Sequence, residues 1–99
     1  MLEKDIERYL FEKVKLLGGR ALKLNTGVRG MPDRLILLPG ENAVFVEMKA
    51  PGEQPRLLQQ KRITQLRELG FWVEVIDTKT KVDRLIRVFH HLEGVEGID

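Results

Sequence analysis

Apolar positions at the start of the chain recur at helical spacing. Ile6, Leu10, Val14 and Leu17 fall on one stripe that Gly18-Gly19 ends, which predicts a helix over residues 2 to 17. The rhythm then shortens: Ala21-Leu22-Lys23-Leu24 alternates, predicting a strand over 20 to 25, and Gly27 to Met31 reads as a loop. Asp33 to Leu38 and Ala43 to Lys49 are β-rich runs joined at Pro39-Gly40-Glu41-Asn42, a hairpin pattern. After Pro51-Gly52 a helix is predicted from about Pro55, where proline suits a first turn, to Leu69 before Gly70. Phe71 to Ile76 is a further strand. Residues 79 to 91 form a last helix with Val82, Leu85, Ile86 and Phe89 on one face, and the final residues read as a frayed tail. The order is α-β-β-β-α-β-α, an α/β fold with one domain over 1–99 and no internal repeat or linker.

Side chains alternate faces along a strand, so Glu47 and Lys49 share a face with Phe45 while Val44, Val46 and Met48 point the other way. A strand apolar on both faces belongs in the middle of a sheet. Glu47 then emerges near the core, where an unpaired carboxylate is costly; the plain alternative is a strand-end Glu and Lys dissolved in water. Pro32 fixes the entry to the preceding strand, and in a hairpin the start of that strand lies beside the end of the next. Asp33 and Glu47 therefore face each other across the ladder, unless Asp33 serves only as a turn or cap residue. Two adjoining carboxylates raise each other's pKa unless a cation sits between them. Oxygen ligands without Cys or clustered His point to Mg2+ or Mn2+ rather than Zn2+.

Polar residues interrupt both flanking helices. Glu3 and Glu7 extend the first apolar stripe, and Gln59 is in phase with Ile63 and Leu66 near the centre of a packed face. Such groups need partners, which a sheet-borne site supplies. Glu3 is thus a candidate ligand or water-positioning group and Gln59 a site-shaping donor; an exposed helix start and a capping position are the alternatives. His90 and His91 point about 100° apart on a helix, which argues against joint metal ligation. Trp72 reads as core or as a contact between copies, and the Gly27 to Gly30 loop lacks the Gly-Lys-Ser/Thr pattern of a P-loop.

Charge sharpens this picture. The net charge is only +2, but Arg20 to Arg34 holds four basic side chains and one acid, and Arg56 to Arg67 holds four and none. Arg20, Lys23, Arg29, Arg34, Arg56, Lys61 and Arg62 are candidate contacts to a nucleic-acid backbone. No apolar run approaches the roughly 20 residues of a membrane span. An acidic start in place of a basic signal region, with no cysteine, leads us to expect a cytoplasmic, reducing setting and no disulfides.

Gly30-x-Pro32-Asp33 followed by Glu47-x-Lys49 resembles the PD-(D/E)xK nuclease signature. The wider pattern is similar to the small VRR-NUC (virus-type replication-repair nuclease) domains. Its carriers are Glu3 before Ile6, Gly18-Gly19, Gly30-Met31-Pro32-Asp33, Val46-Glu47-Met48-Lys49-Ala50-Pro51, Gln59 after Leu58, and Gly70 before the last strand, spanning about residues 3 to 77. The resemblance implies a restriction-endonuclease-like core, a mixed central sheet flanked by helices. It also implies metal-dependent phosphodiester hydrolysis, with Asp33 and Glu47 as metal ligands, the Met48 carbonyl as a third, Lys49 beside the attacking water, and Glu3 and Gln59 completing the site. It further implies a homodimer acting on branched DNA such as four-way junctions, with no small-molecule substrate. The competing expectations are a non-catalytic nucleic-acid-binding module on the same fold, and an interaction domain built on Trp72 and the last helix.

Overall fold

A computed structural model describes residues 1–94, and the predicted order holds: α1 (Glu3–Leu16), β1 (Arg20–Lys23), β2 (Arg34–Leu38), β3 (Asn42–Met48), α2 (Leu57–Glu68), β4 (Trp72–Ile76) and α3 (Lys79–Leu92). Of the tail predicted to fray beyond residue 91, residues 95–99 lie outside the described residues. The four strands make one sheet in the order β1-β2-β3-β4, antiparallel except for the parallel β3–β4 pair. A parallel neighbour requires a crossover, and α2 is that crossover.

The two faces are covered by different helices. Ile6, Leu10 and Val14 of α1 and Val82, Leu85 and Phe89 of α3 form one buried cluster with Ile36, Val44, Val46, Met48 and Ile76. The other face of β3 carries Phe45 and Glu47, the side to which α2 contributes Gln59. Interior β3 is therefore apolar toward one layer and ends in buried charge toward the other. Trp72 is half-buried against the α1–α3 cluster, its indole donating to Glu74 Oε1 at 2.9 Å, which agrees with its core reading.

Local chemistry sets the boundaries. Thr78 caps α3 by accepting the Lys81 amide at 3.2 Å. The hairpin closes at Leu38–Asn42, one residue tighter than the pattern predicts, because Gly40 and Glu41 both take positive φ (78° and 64°). Asn42 opens β3 and donates its side-chain amide to the Pro39 carbonyl at 2.9 Å. Helix α2 starts at Leu57 rather than Pro55, since Arg56 keeps an extended backbone at the N-cap. Among the described residues no helix is long and apolar enough to cross a membrane.

Candidate active site

The β2–β3 register runs from Leu38–Asn42 to Arg34–Val46, and one further step sets Asp33 beside Glu47. The ladder ends there on a side chain: Asp33 Oδ1 accepts the Met48 amide at 3.0 Å. Fully buried Pro32 fixes the approach of the chain to this point. The second Asp33 oxygen, Oδ2, stands 3.5 Å from Arg34 Nη1 on a side chain that remains partly exposed.

Glu47 is 3% exposed. Its Oε2 accepts Gln59 Nε2 at 2.8 Å and lies 3.3 Å from Lys49 Nζ, whereas Oε1 is buried without a hydrogen-bond partner. Burial first, and the Asp33 charge second, push the Glu47 pKa above the ordinary carboxylate value, against the opposing pull of Lys49. Lys49 is itself buried, its amide donating to the Ile76 carbonyl at 2.9 Å and its ammonium also lying 3.8 Å from Glu53 Oε1.

Gln59 combines the two alternatives that its position in the sequence offers, cap and donor. Its Oε1 accepts the Arg56 amide at 2.9 Å, capping α2, and this leaves the NH2 group to face Glu47. The loop before Asp33 leans on the same helix. Gly30 has φ +83°, and a Cβ there would stand 2.7 Å from Leu58 Cγ and 3.0 Å from the Leu58 carbonyl. Arg62 Nε donates to the Arg29 carbonyl at 3.0 Å.

Among the described residues no three His, Cys, Asp or Glu side chains gather as a metal cage. Glu3 is half-buried in the first turn of α1, the helix whose buried stripe packs on the Val44–Val46 face of the sheet. Arg34 departs from a phosphate-facing role: it alternates onto the α1 face, forms an ion pair with Glu7, and its side chain is only 14% exposed. Arg20, Lys23, Arg29, Arg56 and Lys61 are exposed, and Arg62 is half-buried in the contact just described.

Two residues near the site carry no motif in the sequence. Glu53 shares Lys49 with Glu47. Asp77 is buried at the end of β4, accepts the Gly52 amide at 3.1 Å and pairs with Lys81 at 2.8 Å, which holds the turn that follows Lys49. An acid closing an apolar strand is the same signal that singles out Glu47. A cavity of about 400 Å3 between α2 and the end of β4 is lined by Glu53, Gln60, Thr64, Arg67, Asp77 and Lys81, but by neither Asp33 nor Glu47.

No protein-family model matches the chain. A solved structure described as "VRR_NUC domain" superposes with a TM-score of 0.79 at 33% sequence identity, over 86% of this chain and 94% of that one. The chain belongs to the VRR-NUC family. A curated relative, "Putative nuclease p44" of Acyrthosiphon pisum secondary endosymbiont phage 1, is 44% identical over 78 residues, which are 78% of this chain and 84% of that protein. A further solved structure, "VRR_NUC domain protein", has a TM-score of 0.73 over 93% of this chain and 90% of that one, and at 19% identity shares the fold.

The donor set of this VRR-NUC chain fits a hard divalent cation. Glu47 Oε1 is a buried oxygen with no partner, and Asp33 keeps one oxygen outside its bond to Met48. Lys49 offsets the charge of Glu47 and Arg34, itself shared with Glu7, that of Asp33, and all the donors are oxygens, the preference of Mg2+ and Mn2+ rather than of softer metals.

Proposed function

We propose that this chain is a divalent-metal-dependent endonuclease that hydrolyses phosphodiester bonds in branched DNA, four-way junctions included, and acts as a homodimer. The observation that carries the reading is the buried, partnerless Oε1 of Glu47 beside Asp33. Asp33 and Glu47 would hold Mg2+ or Mn2+, with the Met48 carbonyl as a third oxygen. Such an ion polarises a phosphate and lowers the pKa of a bound water.

The side chains do the rest. Gln59 occupies Glu47 Oε2, which leaves Oε1 as the ligating oxygen. Lys49 Nζ, shared between Glu47 and Glu53, orients the attacking water and offsets phosphate charge as it develops. Arg20, Lys23, Arg29, Arg56, Lys61 and Arg62 bind the phosphate backbone with little sequence preference. The nuclease name of the phage relative supports hydrolysis, and the reading sets the reaction inside the cell, with its DNA. Cutting two strands calls for two sites, which a two-fold pair provides. The apolar surface left on the sheet by exposed Leu22 and Leu37 supports such pairing.

The test is cleavage of end-labelled four-way junction, flap, duplex and single-stranded DNA, each with Mg2+, Mn2+, Ca2+ or chelator. Junction products with Mg2+ or Mn2+, lost in Asp33→Ala and Lys49→Ala while binding persists, are the expected outcome. A wild-type chain that binds but cuts none of these substrates with any ion is a non-catalytic binding module instead.

A further inference from the structure

The first turn of α2 and the Gly27–Gly30 loop, the two segments that lead into Gln59 and Asp33, present aliphatic side chains to solvent. Leu57 opens the helix at 82% exposure, Leu58 follows at 40%, and Val28 in the loop stands at 51%. An exposed first turn ordinarily carries acids or hydroxyls; this one reads Arg-Leu-Leu and contains no acid. The loop is held in shape. Thr26 Oγ1 accepts the Val28 amide at 3.0 Å, Arg62 ties the Arg29 carbonyl to α2, and Gly30 packs on Leu58. The surroundings are basic, with Arg29, Arg56, Lys61 and Arg62 and no acid from Arg56 to Arg67. The tip connects to the chemistry through both elements: the loop leads through Pro32 into Asp33, and Leu58, packed on Gly30, precedes Gln59, whose amide touches Glu47, while Leu57 projects outward from the far side of the same turn.

We infer that Val28, Leu57 and Leu58 form a wedge that enters the opened base stack at a DNA branch point and sets the strand against Asp33 and Glu47. This rests on the nuclease reading above and supplies what makes a branched substrate better than a plain duplex. Basic side chains grip the phosphates of any duplex and cannot discriminate. Exposed aliphatic groups gain little from an intact stack, but bury apolar area against the base faces that a branch uncovers. A second copy is a poor occupant, because a two-fold contact at this tip would set Arg29, Arg56, Lys61 and Arg62 against their own images.

The experiment uses a four-way junction with 2-aminopurine at the branch, and a linear duplex of equal length, both titrated with the full chain in Ca2+. Wild type is expected to brighten the probe on binding and to prefer the junction. Val28→Ser with Leu57→Ser abolishes the brightening and lowers the junction-to-duplex affinity ratio about tenfold. The salt dependence of binding stays as it was, because no charge is removed. Leu57→Ser alone, at so exposed a position, moves both readouts in the same direction and guards against misfolding of the double variant; Leu57→Met restores them. No brightening by wild type, an unchanged ratio in the variants, or a shift of the free protein from dimer to monomer on Leu57→Ser each overturns the wedge. Failure of the nuclease reading looks different: the probe brightens, yet Mg2+ and Mn2+ give no products.

Discussion

At the scale of single residues, the site turns on how the two oxygens of Glu47 are used. One is committed to Gln59 and Lys49, and the other is buried and idle. Burial and Asp33 raise the pKa of this carboxylate, so the metal-free folded chain holds the proton more tightly than an unfolded chain does. Its contribution to stability is complete below 4.5 and is lost as pH rises through the raised folded value. Ligation needs the ionised form. The acid limb of Mn2+ binding, read as the metal-induced rise in Tm, should therefore lie above 4.5 and follow one proton, with the cleavage rate falling in the same window. A limb at or below the ordinary carboxylate value would show that Glu47 is not the ligand. Gln59→Ala removes a donor to the charged form, so it should push this limb higher, and losing the α2 cap as well should lower stability by about 1–2 kcal/mol in urea melts. Lys49→Ala should reduce the rate constant by about 100-fold or more in single-turnover assays with junction affinity retained. Asp33 opposite Glu47 is legible in the sequence because antiparallel register counts outward from a recognisable turn. The bond from Gln59 is only half legible: its phase on the helix predicts burial, but its double use as cap and donor depends on how α2 seats on the sheet.

At the scale of elements, the link between the β1–β2 loop and α2 decides whether Asp33 and Gln59 address the same point. Gly30 touches Leu58 with a backbone conformation that side chains disfavour, and Arg62 ties the Arg29 carbonyl to the helix. Gly30→Ala should therefore cost about 1–3 kcal/mol, from positive φ plus the clash with Leu58. Because the loop shifts against α2, it should also weaken Mn2+ binding, whereas Gly27→Ala, with open space around its Cβ, should bring only the backbone cost. Isothermal titration of the two variants compares them directly; equal metal affinities would mean that the loop does not position Asp33. Element order, the hairpin and the amphipathic α1 and α3 follow from periodicity, since each has a continuous apolar stripe. The face covered by α1 does not. Helical phase says which side chains turn inward, but not which side of a sheet receives them, so the sequence leaves open the face on which α1, and Glu3 with it, is laid. The strand-end position of Asp77 is visible in the sequence but its role is not, as its partner Gly52 lies on a turn whose approach to β4 is set only by the parallel crossover.

At the scale of the whole molecule, Arg34 stands apart from the other candidate phosphate contacts, which are exposed or, for Arg62, half-buried while bracing the loop. Arg34 is held by Glu7 beneath the sheet, so Arg34→Ala should leave Glu7 half-buried without its partner and destabilise the chain by about 2 kcal/mol, with no change in the salt dependence of DNA binding. The other candidates set that dependence. If Arg20, Lys23, Arg29, Arg56, Lys61 and Arg62 each neutralise one phosphate, log K against log salt should have a slope of about −5 for one bound copy. A two-fold complex that grips both sides of a junction should approach roughly double that slope, since counterions are released at each protomer. Slope and stoichiometry together therefore test the dimer more sharply than either alone. Fluorescence anisotropy across a salt series, with sedimentation of the complex at the same concentrations, should give two chains per junction and the steeper value. A single chain per junction with a slope near −5 would remove the homodimer from the mechanism, and with it the coupled cutting of two strands, while leaving the Asp33–Glu47 chemistry on one strand intact.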